Sequence, residues 1–509
     1  MISQLFCDVV IVGGGLSGLY AARLLTAAGA DVLVLEAQAN VGGRTLTGHF
    51  GDGTFVDDGG QWVSPGQDCI VNLAQELGVR LFPSWSEGAT VHWRGGARTV
   101  SNEIFMPEDG DALTAARTAA LALAGMAETV PPEAPWMAPR AVEWDATTLH
   151  AWLAAHVHSE PARRALANAI EGVFARNSTP PSLLSALFWI RCGDPLTPFL
   201  TTDDLGPERR FDRGAQQLSL RMADALGKRV ICGAAVSHIS HDRDVVLATA
   251  GDLSVSARRA IITVPPALAG RLRYDPPLPA LRDHLMQRAP MRWAIKVHCL
   301  YPRRFWADEG LSGQTISDDG AVRVCADNSP PSGVPGVLVG FIEEAEAGTL
   351  ATLPAADRRA AVFAALVRYF GTRALAPMEY REKNWGDDPF CRGVDGGYWP
   401  QGVWTGYGRT LRAPIGSLHW GGERRPPRPG TARWRALSWR PGARQLKCCR
   451  KQARRPRSKR LCDVVVVQSL KRFPTGKEQQ PLKCQARSPI GSLWPYRRIP
   501  APAHMCCWE

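Results

Sequence analysis

The stretch that most constrains this chain is DVVIVGGGLSGLYAARLLTAAGADVLVLEAQANVGGRT, residues 8–45. It opens with Val9–Val12, a short β-branched run of the kind that forms a buried strand. Gly13, Gly15 and Gly18 follow in the spacing G-x-G-x-x-G. A helical pattern is expected from Leu16 to about Ala28, and a second strand from Val32 to Leu35. Together these make a βαβ unit built to hold a dinucleotide. Gly13 permits the tight turn, Gly15 lets backbone approach a pyrophosphate, and Gly18 lets helix and strand pack closely. Leu16 and Ser17 open the helix, whose free N–H groups and partial positive charge suit phosphate. Glu36 ends the second strand, placed to accept hydrogen bonds from an adenosine ribose.

Glycine spacing alone does not separate NAD from FAD. The residues just beyond do. Val41-Gly42-Gly43-Arg44-Thr45, following Glu36, resembles the second signature of the flavin amine oxidases. The resemblance implies that this turn wraps the FAD pyrophosphate and that Arg44 contacts phosphate, since a guanidinium fork matches phosphate oxygens. Polyamine oxidases, L-amino acid oxidases, phytoene desaturases and protoporphyrinogen oxidases share this amino-terminal pattern. It therefore constrains the cofactor more than the substrate.

The family resemblance implies an α/β fold. A discontinuous, Rossmann-like FAD-binding domain would comprise 1–75, 205–275 and 381–422, and an α+β substrate-binding domain 76–204 and 276–380. In Phe55–Trp62 (FVDDGGQW), Gly59, Gly60 and Gln61 resemble the turn that reaches the flavin ring, and Trp62 is a candidate pocket wall. Asp111–Glu128 and Asp145–His156 read as helices, with a break at Pro131, Pro132 and Pro135. Phe188, Trp189 and Ile190 read as helical core rather than amine pocket. Short strands are expected at Ala235–Ile239, Val245–Ala248 and Ala260–Pro266. Val236 looks like the family residue whose backbone holds the adenine, and Asp275–Pro279 like the crossover to the substrate domain, whose 280–380 part would be an antiparallel sheet with helices. Lys296 sits in the apolar strand Ala294–Val297, where a lysine must snorkel, pair or serve a site. The resemblance implies that it reaches N5 of the flavin through a water. Trp385, Gly421 and Gly422 belong to the third flavin segment.

Two departures stand out. The family's covalent FAD-linking cysteine aligns with Val394, and Cys391 lies three residues earlier, so non-covalent FAD is expected. The first aromatic cage residue aligns with Asp395, leaving Tyr398 or Trp399 to substitute. The second departure begins near Gly422, where the expected Thr-Glu flavin motif is replaced by ERRPPRPGTARWRALSWRPGARQ. The segment RWRALSWRPGAR can be encoded so that a shifted frame spells Met-Glu-Gly-Ala-Leu-Val-Ala-Ala-Gly-Arg-Ala, the missing helix. A reading-frame shift is the expected origin of residues 423–509.

Composition agrees with that division. The net charge is +12, yet residues 423–509 hold 22 of the 60 Lys and Arg and only 4 of the 48 Asp and Glu. That segment carries +18, leaving −6 on residues 1–422. Lys451–Arg460 is dense enough to attract phosphate. Because the charge change begins inside a cofactor motif, no specific nucleic-acid partner is expected. No apolar run reaches 18 residues, so no transmembrane helix is expected. The start lacks a signal-peptide pattern, and cysteine spacing suits neither a zinc site nor a disulfide framework, which points to the reducing cytoplasm.

The expected activity is FAD-dependent oxidation of a primary amine or polyamine to imine and aldehyde, with dioxygen reduced to hydrogen peroxide. Lys296 would act near the flavin, with Trp62 and one of Tyr398 or Trp399 orienting the amine. No metal is expected, and a homodimer is compatible with the resemblance. The alternatives are a related flavoenzyme such as an L-amino acid oxidase, which needs an arginine for the substrate carboxylate, or an inactive product with a damaged C-terminus.

Overall fold

The computed structural model of the chain describes residues 3–64, 67–102, 110–171, 180–193, 196, 208–394 and 399–421. Tyr398, Asp395, Gly422 and the segment 423–509 lie outside the described residues.

Val9, Val10, Ile11 and Val12 are all buried, the pattern of a central parallel strand covered on both faces. They end the strand Ser3–Val12, which is longer than its apolar run. Its first half is exposed and held by register with Leu253–Ile262, Ser3 opposite Leu253 and Val12 opposite Ile262. This half mixes polar residues with the exposed Leu5 and Phe6 and shows no regular alternation of buried side chains, so it was not legible in the sequence. The helix Leu16–Ala27 then crosses to the parallel strand Val32–Leu35. The sheet runs Val230–Ile231, Val32–Leu35, Ser3–Val12, Leu253–Ile262, Val246–Ala250, His238–His241, Arg273–Asp275, with Leu418–Trp420 also pairing parallel to Leu253–Ile262. The strand expected at Ala235–Ile239 starts three residues later and ends two later, at His238–His241.

A second, seven-stranded sheet runs Glu379–Asn384, Ala294–Tyr301, Gly336–Glu343, Val324–Asp327, Leu311–Ser317, Ala89–Arg94, Ala97–Ser101. Within 280–380 its strand pairs are antiparallel, as expected, and the sheet is mixed only where Leu311–Ser317 runs parallel to Ala89–Arg94. A third group of helices, Gly110–Glu128, Ala141–Ala146, Leu149–His156, Glu160–Glu171 and Leu183–Gly193, shares one apolar core. Phe188 and Ile190 lie within it, as read from the sequence. The helix expected over Asp145–His156 is two helices. Thr148 leaves the helical path and caps the second, its Oγ1 accepting from Ala151 N at 3.1 Å.

The segment 381–422 does not stay with the first sheet. Glu379–Asn384 is an edge strand of the second sheet, Val403–Tyr407 packs into the helical core, and among the described residues of the segment Leu418–Trp420 alone joins the first. Cofactor motifs say which residues meet a ligand, not which sheet a strand bonds to. Asp145 ties this segment down: its Oδ2 accepts from Thr405 N and Oγ1, both at 2.8 Å. Asp145→Ala is expected to cost about 1–3 kcal/mol, because two donors lose a buried acceptor. A fall in Tm with unchanged flavin content checks this.

Candidate cofactor and active site

The glycine loop is shaped by contacts that exclude any side chain. Gly13 has φ of 107° and its N–H donates to Leu35 O at 2.9 Å. A Cβ on Gly18 would stand 1.9 Å from Gly13 O and 3.0 Å from Thr263 Oγ1. Thr263 Oγ1 itself donates to Val12 O at 2.8 Å. Gly15 precedes the helix in extended conformation, and among the described residues no side chain caps the helix N-terminus. The sequence reading passed over Gly14, whose Cβ would lie 2.9 Å from the Glu36 side chain. Glu36 accepts from Gly14 N at 2.6 Å and Gln38 N at 2.8 Å. Burial pushes its carboxyl up, and these amides pull it back. Each oxygen retains a lone pair for a ribose hydroxyl.

The GGR turn lies against this loop. Gly42 N donates to Gly14 O at 3.0 Å, and Gly42 (φ 121°) and Gly43 (φ 54°) adopt backbone that glycine favours. Thr45 Oγ1 donates to Gly42 O, and Arg44 Nη1 to Val394 O, each at 2.9 Å. Gln216, to which the sequence assigned no role, holds the turn from afar: its Nε2 donates to Val41 O at 2.8 Å and its Oε1 accepts from Thr47 N at 3.0 Å. Gly60 N donates to Arg44 O, and a Cβ on Gly59 would stand 2.1 Å from the same oxygen. Gly421 extends the strand end beside the loop, its N–H donating to Ile262 O at 2.9 Å. Val236 is half-buried against the core of the first sheet. The cradle thus offers bare backbone, an uncapped helix N-terminus and a turn arginine, a donor set that fits the pyrophosphate of FAD.

Lys296 lies where the second sheet meets the Asp57–Gln61 loop. It is buried, and its ammonium donates to Asp57 O at 2.6 Å, Gly59 O at 2.9 Å and Gln61 Oε1. Its Nζ is 5.4 Å from the Trp62 ring centroid and 5.5 Å from that of Phe341. Burial lowers its pKa from 10.5 to about 7, against the opposing pull of Asp57 and Asp58. Trp385 donates its indole N–H to Asp58 O at 2.8 Å. The structure therefore brings Lys296, Trp62, Gly59, Gln61 and Trp385 together around one loop. Trp399 is not part of this group. Its fully buried ring stacks on Trp404 at 4.1 Å in the helical core. Packing, rather than a pocket, explains that tryptophan.

Sequence reasoning missed the charges beneath the loop. Asp57 Oδ1 accepts from Thr47 Oγ1 and Ala215 N, both at 2.8 Å. Arg210 is buried opposite Trp62 in a small antiparallel ribbon, and its Nη1 donates to Ser329 O at 3.0 Å. Burial lowers its pKa to about 10, opposed by Asp57 and Asp327. Arg381 grips Asp58 through Nε at 3.0 Å and Nη2 at 2.5 Å. The available signal was two adjacent acids, Asp57-Asp58, closing an apolar strand, since buried carboxylates require cations. Cys391 is buried, with Gln38 Nε2 3.8 Å from its sulfur. Burial, with Asp388 adding to it, pushes its thiol up to about 12.

A family profile described as flavin containing amine oxidoreductase matches residues 16–426. The match ends just inside the segment where the cofactor motif breaks off. An L-amino acid dehydrogenase of Synechocystis sp. is 33% identical over 431 residues, covering 83% of this chain and 90% of that protein. A flavin-containing amine oxidase of Danio rerio is 34% identical over 424 residues, covering 82% and 80%. Among solved structures, a putrescine oxidase bound to putrescine superposes with a TM-score of 0.77 at 33% identity, covering 82% of this chain and 94% of that one. A cyclohexylamine oxidase from Brevibacterium oxydans gives 0.74 at 30% identity, covering 82% and 93%.

Proposed function

This chain belongs to the flavin containing amine oxidoreductases and is an FAD-dependent oxidoreductase, and from that premise we propose that it oxidises a primary amine or polyamine, with non-covalent FAD and dioxygen as oxidant. The observation that carries this reading is Lys296, a buried ammonium held by the loop carbonyls that adjoin the cofactor cradle and flanked by the Trp62 and Phe341 rings.

The chemistry that FAD supplies when bound is acceptance of a hydride equivalent from the amine α-carbon and return of two electrons to dioxygen as hydrogen peroxide. The imine is then hydrolysed to aldehyde and ammonia. Gly13, Gly15, Leu16, Ser17, Gly18, Glu36, Gly42, Gly43, Arg44 and Thr45 would hold its adenosine diphosphate half. Trp62 and Phe341 provide apolar walls that favour the neutral amine over the ammonium. Below about pH 7 the Lys296 cation reinforces that preference by repelling charged substrate; above it, the neutral side chain can hold a proton.

Non-covalent attachment is supported by Val394 at the linking position and by the buried Cys391, whose high pKa suppresses the nucleophilic thiolate. Acid denaturation of the purified full-length chain is expected to release all its flavin, with Cys391→Ser behaving identically. Flavin left on the precipitate would reject this.

A second reading, oxidation of an L-amino acid, is supported by Arg210. Its Nε and Nη2 have no hydrogen-bond partner among the described residues, and this is the edge that Arg381 presents to Asp58. An α-amino acid carboxylate suits such an edge. A peroxide assay with tyramine, putrescine and leucine separates the two. Turnover of leucine alone would replace the amine reading, and no turnover of tyramine or putrescine by a flavin-loaded protein would reject it.

A further inference from the structure

Lys296 and His298 lie two residues apart on a fully buried strand and so share one face of the second sheet. The antiparallel edge strand places Lys383 directly opposite Lys296 and Arg381 directly opposite His298. Opposite residues in such a pair stand side by side, and like charges there repel. Four basic side chains on one face therefore need negative groups above them. The Asp57–Gln61 loop supplies most of these. Its carbonyls take Lys296, the Asp58 carboxylate takes Arg381, and His298 Nε2 stands 3.8 Å from Asp58 Oδ1. Lys383 pairs instead with Asp388 at 2.9 Å. Burial and the neighbouring cations hold the His298 imidazole well below its usual range, so it is neutral and cannot balance Asp58.

Arg381 is the cation matched to Asp58 in geometry. It is a third exposed, while Asp58 is completely buried. Its guanidinium passes over Gly48, where a Cβ would stand 2.5 Å from Nη2. The backbone carbonyl of the same Asp58 accepts the Trp385 indole N–H. The loop is thus held at neighbouring residues by Lys296, Arg381 and Trp385.

We propose that Arg381 is a positioning residue for the oxidation: its two-pronged grip on Asp58 fixes the Asp57–Gln61 loop over the basic sheet face and thereby places Lys296 and Trp385. This rests on the FAD-dependent reading above. Lysine cannot reproduce the fork, although it keeps the charge.

The charged and titratable groups facing Lys296 are Asp57 and Asp58 on the loop, Arg210 on the ribbon, His298 on its own strand, and Lys383 and Arg381 on the edge strand. Removing Arg381 leaves the Asp58 charge less neutralised, which favours the Lys296 cation. Removing both charges withdraws the pull of Asp58.

The test uses full-length Arg381→Gln, Arg381→Lys and the double variant Arg381→Gln/Asp58→Asn. In FAD-free protein, amide hydrogen exchange across 57–62 is expected to accelerate about tenfold in Arg381→Gln, with Val9–Val12 unchanged. In loaded protein, flavin reduction by the amine should slow about tenfold or more. Its pH midpoint should move up in Arg381→Gln and down in the double variant. The double variant should recover Tm but not rate, and Arg381→Lys should be intermediate. Unchanged exchange across 57–62, or recovery of rate together with Tm in the double variant, overturns the proposal. Should Arg381→Gln fail to fold, wild-type exchange and rate in Arg381→Lys overturn it equally. A wild type that binds FAD but is reduced by no amine rejects the substrate reading instead, and leaves the exchange result to stand alone.

Discussion

Gly18→Ala is expected to yield a chain that purifies without flavin colour and does not take up added FAD. The added methyl would stand 1.9 Å from Gly13 O and 3.0 Å from Thr263 Oγ1. The first contact is with backbone, so no rotamer change relieves it. Either the helix Leu16–Ala27 moves off the strand Ser3–Val12, or the turn at Gly13 opens. Both options disturb the cradle, because Gly13 N is bonded to Leu35 O and Gly14 O to Gly42 N. The strain is about 3 kcal/mol, the upper end for one methyl forced into a packed site. Gly29→Ala is the control, since a Cβ there meets nothing within 4 Å. It should keep its flavin despite some cost from the φ of 87°. Flavin absorbance and Tm of the two proteins decide the matter. A yellow Gly18→Ala protein with wild-type Tm would show that helix and strand have slack that the structure denies.

Lys296→Met is expected to slow flavin reduction by the amine by about 100-fold or more, within the range for losing a positioned proton-transfer group. It should also abolish any titration near pH 7 in that step. The reason is the depressed pKa: burial brings Lys296 from 10.5 to about 7. The same shift sets the direction of a stability effect. Between about pH 7 and 10.5 the unfolded chain holds a proton on this lysine that the folded chain does not. Wild-type stability therefore gains with rising pH across that window, and the penalty for burying the cation is fully present below it. Each unit is worth about 1.4 kcal/mol, so the whole window amounts to a few kcal/mol. Methionine removes this dependence but strips Asp57 O, Gly59 O and Gln61 Oε1 of a donor. The Tm difference between wild type and Lys296→Met should accordingly widen in favour of wild type from pH 7 to 10. A variant that keeps a midpoint near pH 7 in flavin reduction would assign that titration elsewhere.

In the βαβ unit the helix and the second strand were legible in the sequence to within a residue or so, and of the first strand only its buried half. The strand Val32–Leu35 appears as read, and the helix Leu16–Ala27 ends one residue early. Each signal there is local: a β-branched run, a 3.6-residue period, a glycine where φ must be positive. Lys296 was legible for a related reason, since a lysine inside an apolar run demands an explanation. Asp57, Arg210, Gln216 and Arg381 were not. Their partners lie tens to hundreds of residues away in the chain, and a carboxylate or guanidinium looks the same in sequence whether solvated or buried. Trp399 shows the converse. It follows a cage-like motif, yet its ring packs among helices whose positions no local pattern reports.

What the sequence determined by itself is the βαβ backbone with its glycine loop and the adjoining Gly42-Gly43-Arg44 turn. These depend on backbone conformations that few residues can adopt. What only the tertiary structure decided is the company Lys296 keeps. The Asp57–Gln61 loop, which joins two small ribbons, lies over a face of the second sheet, and the edge strand Glu379–Asn384 joins that second sheet. Burial of charge is settled by which distant segments close over it, and that closure follows from packing of whole sheets rather than from any short run of residues.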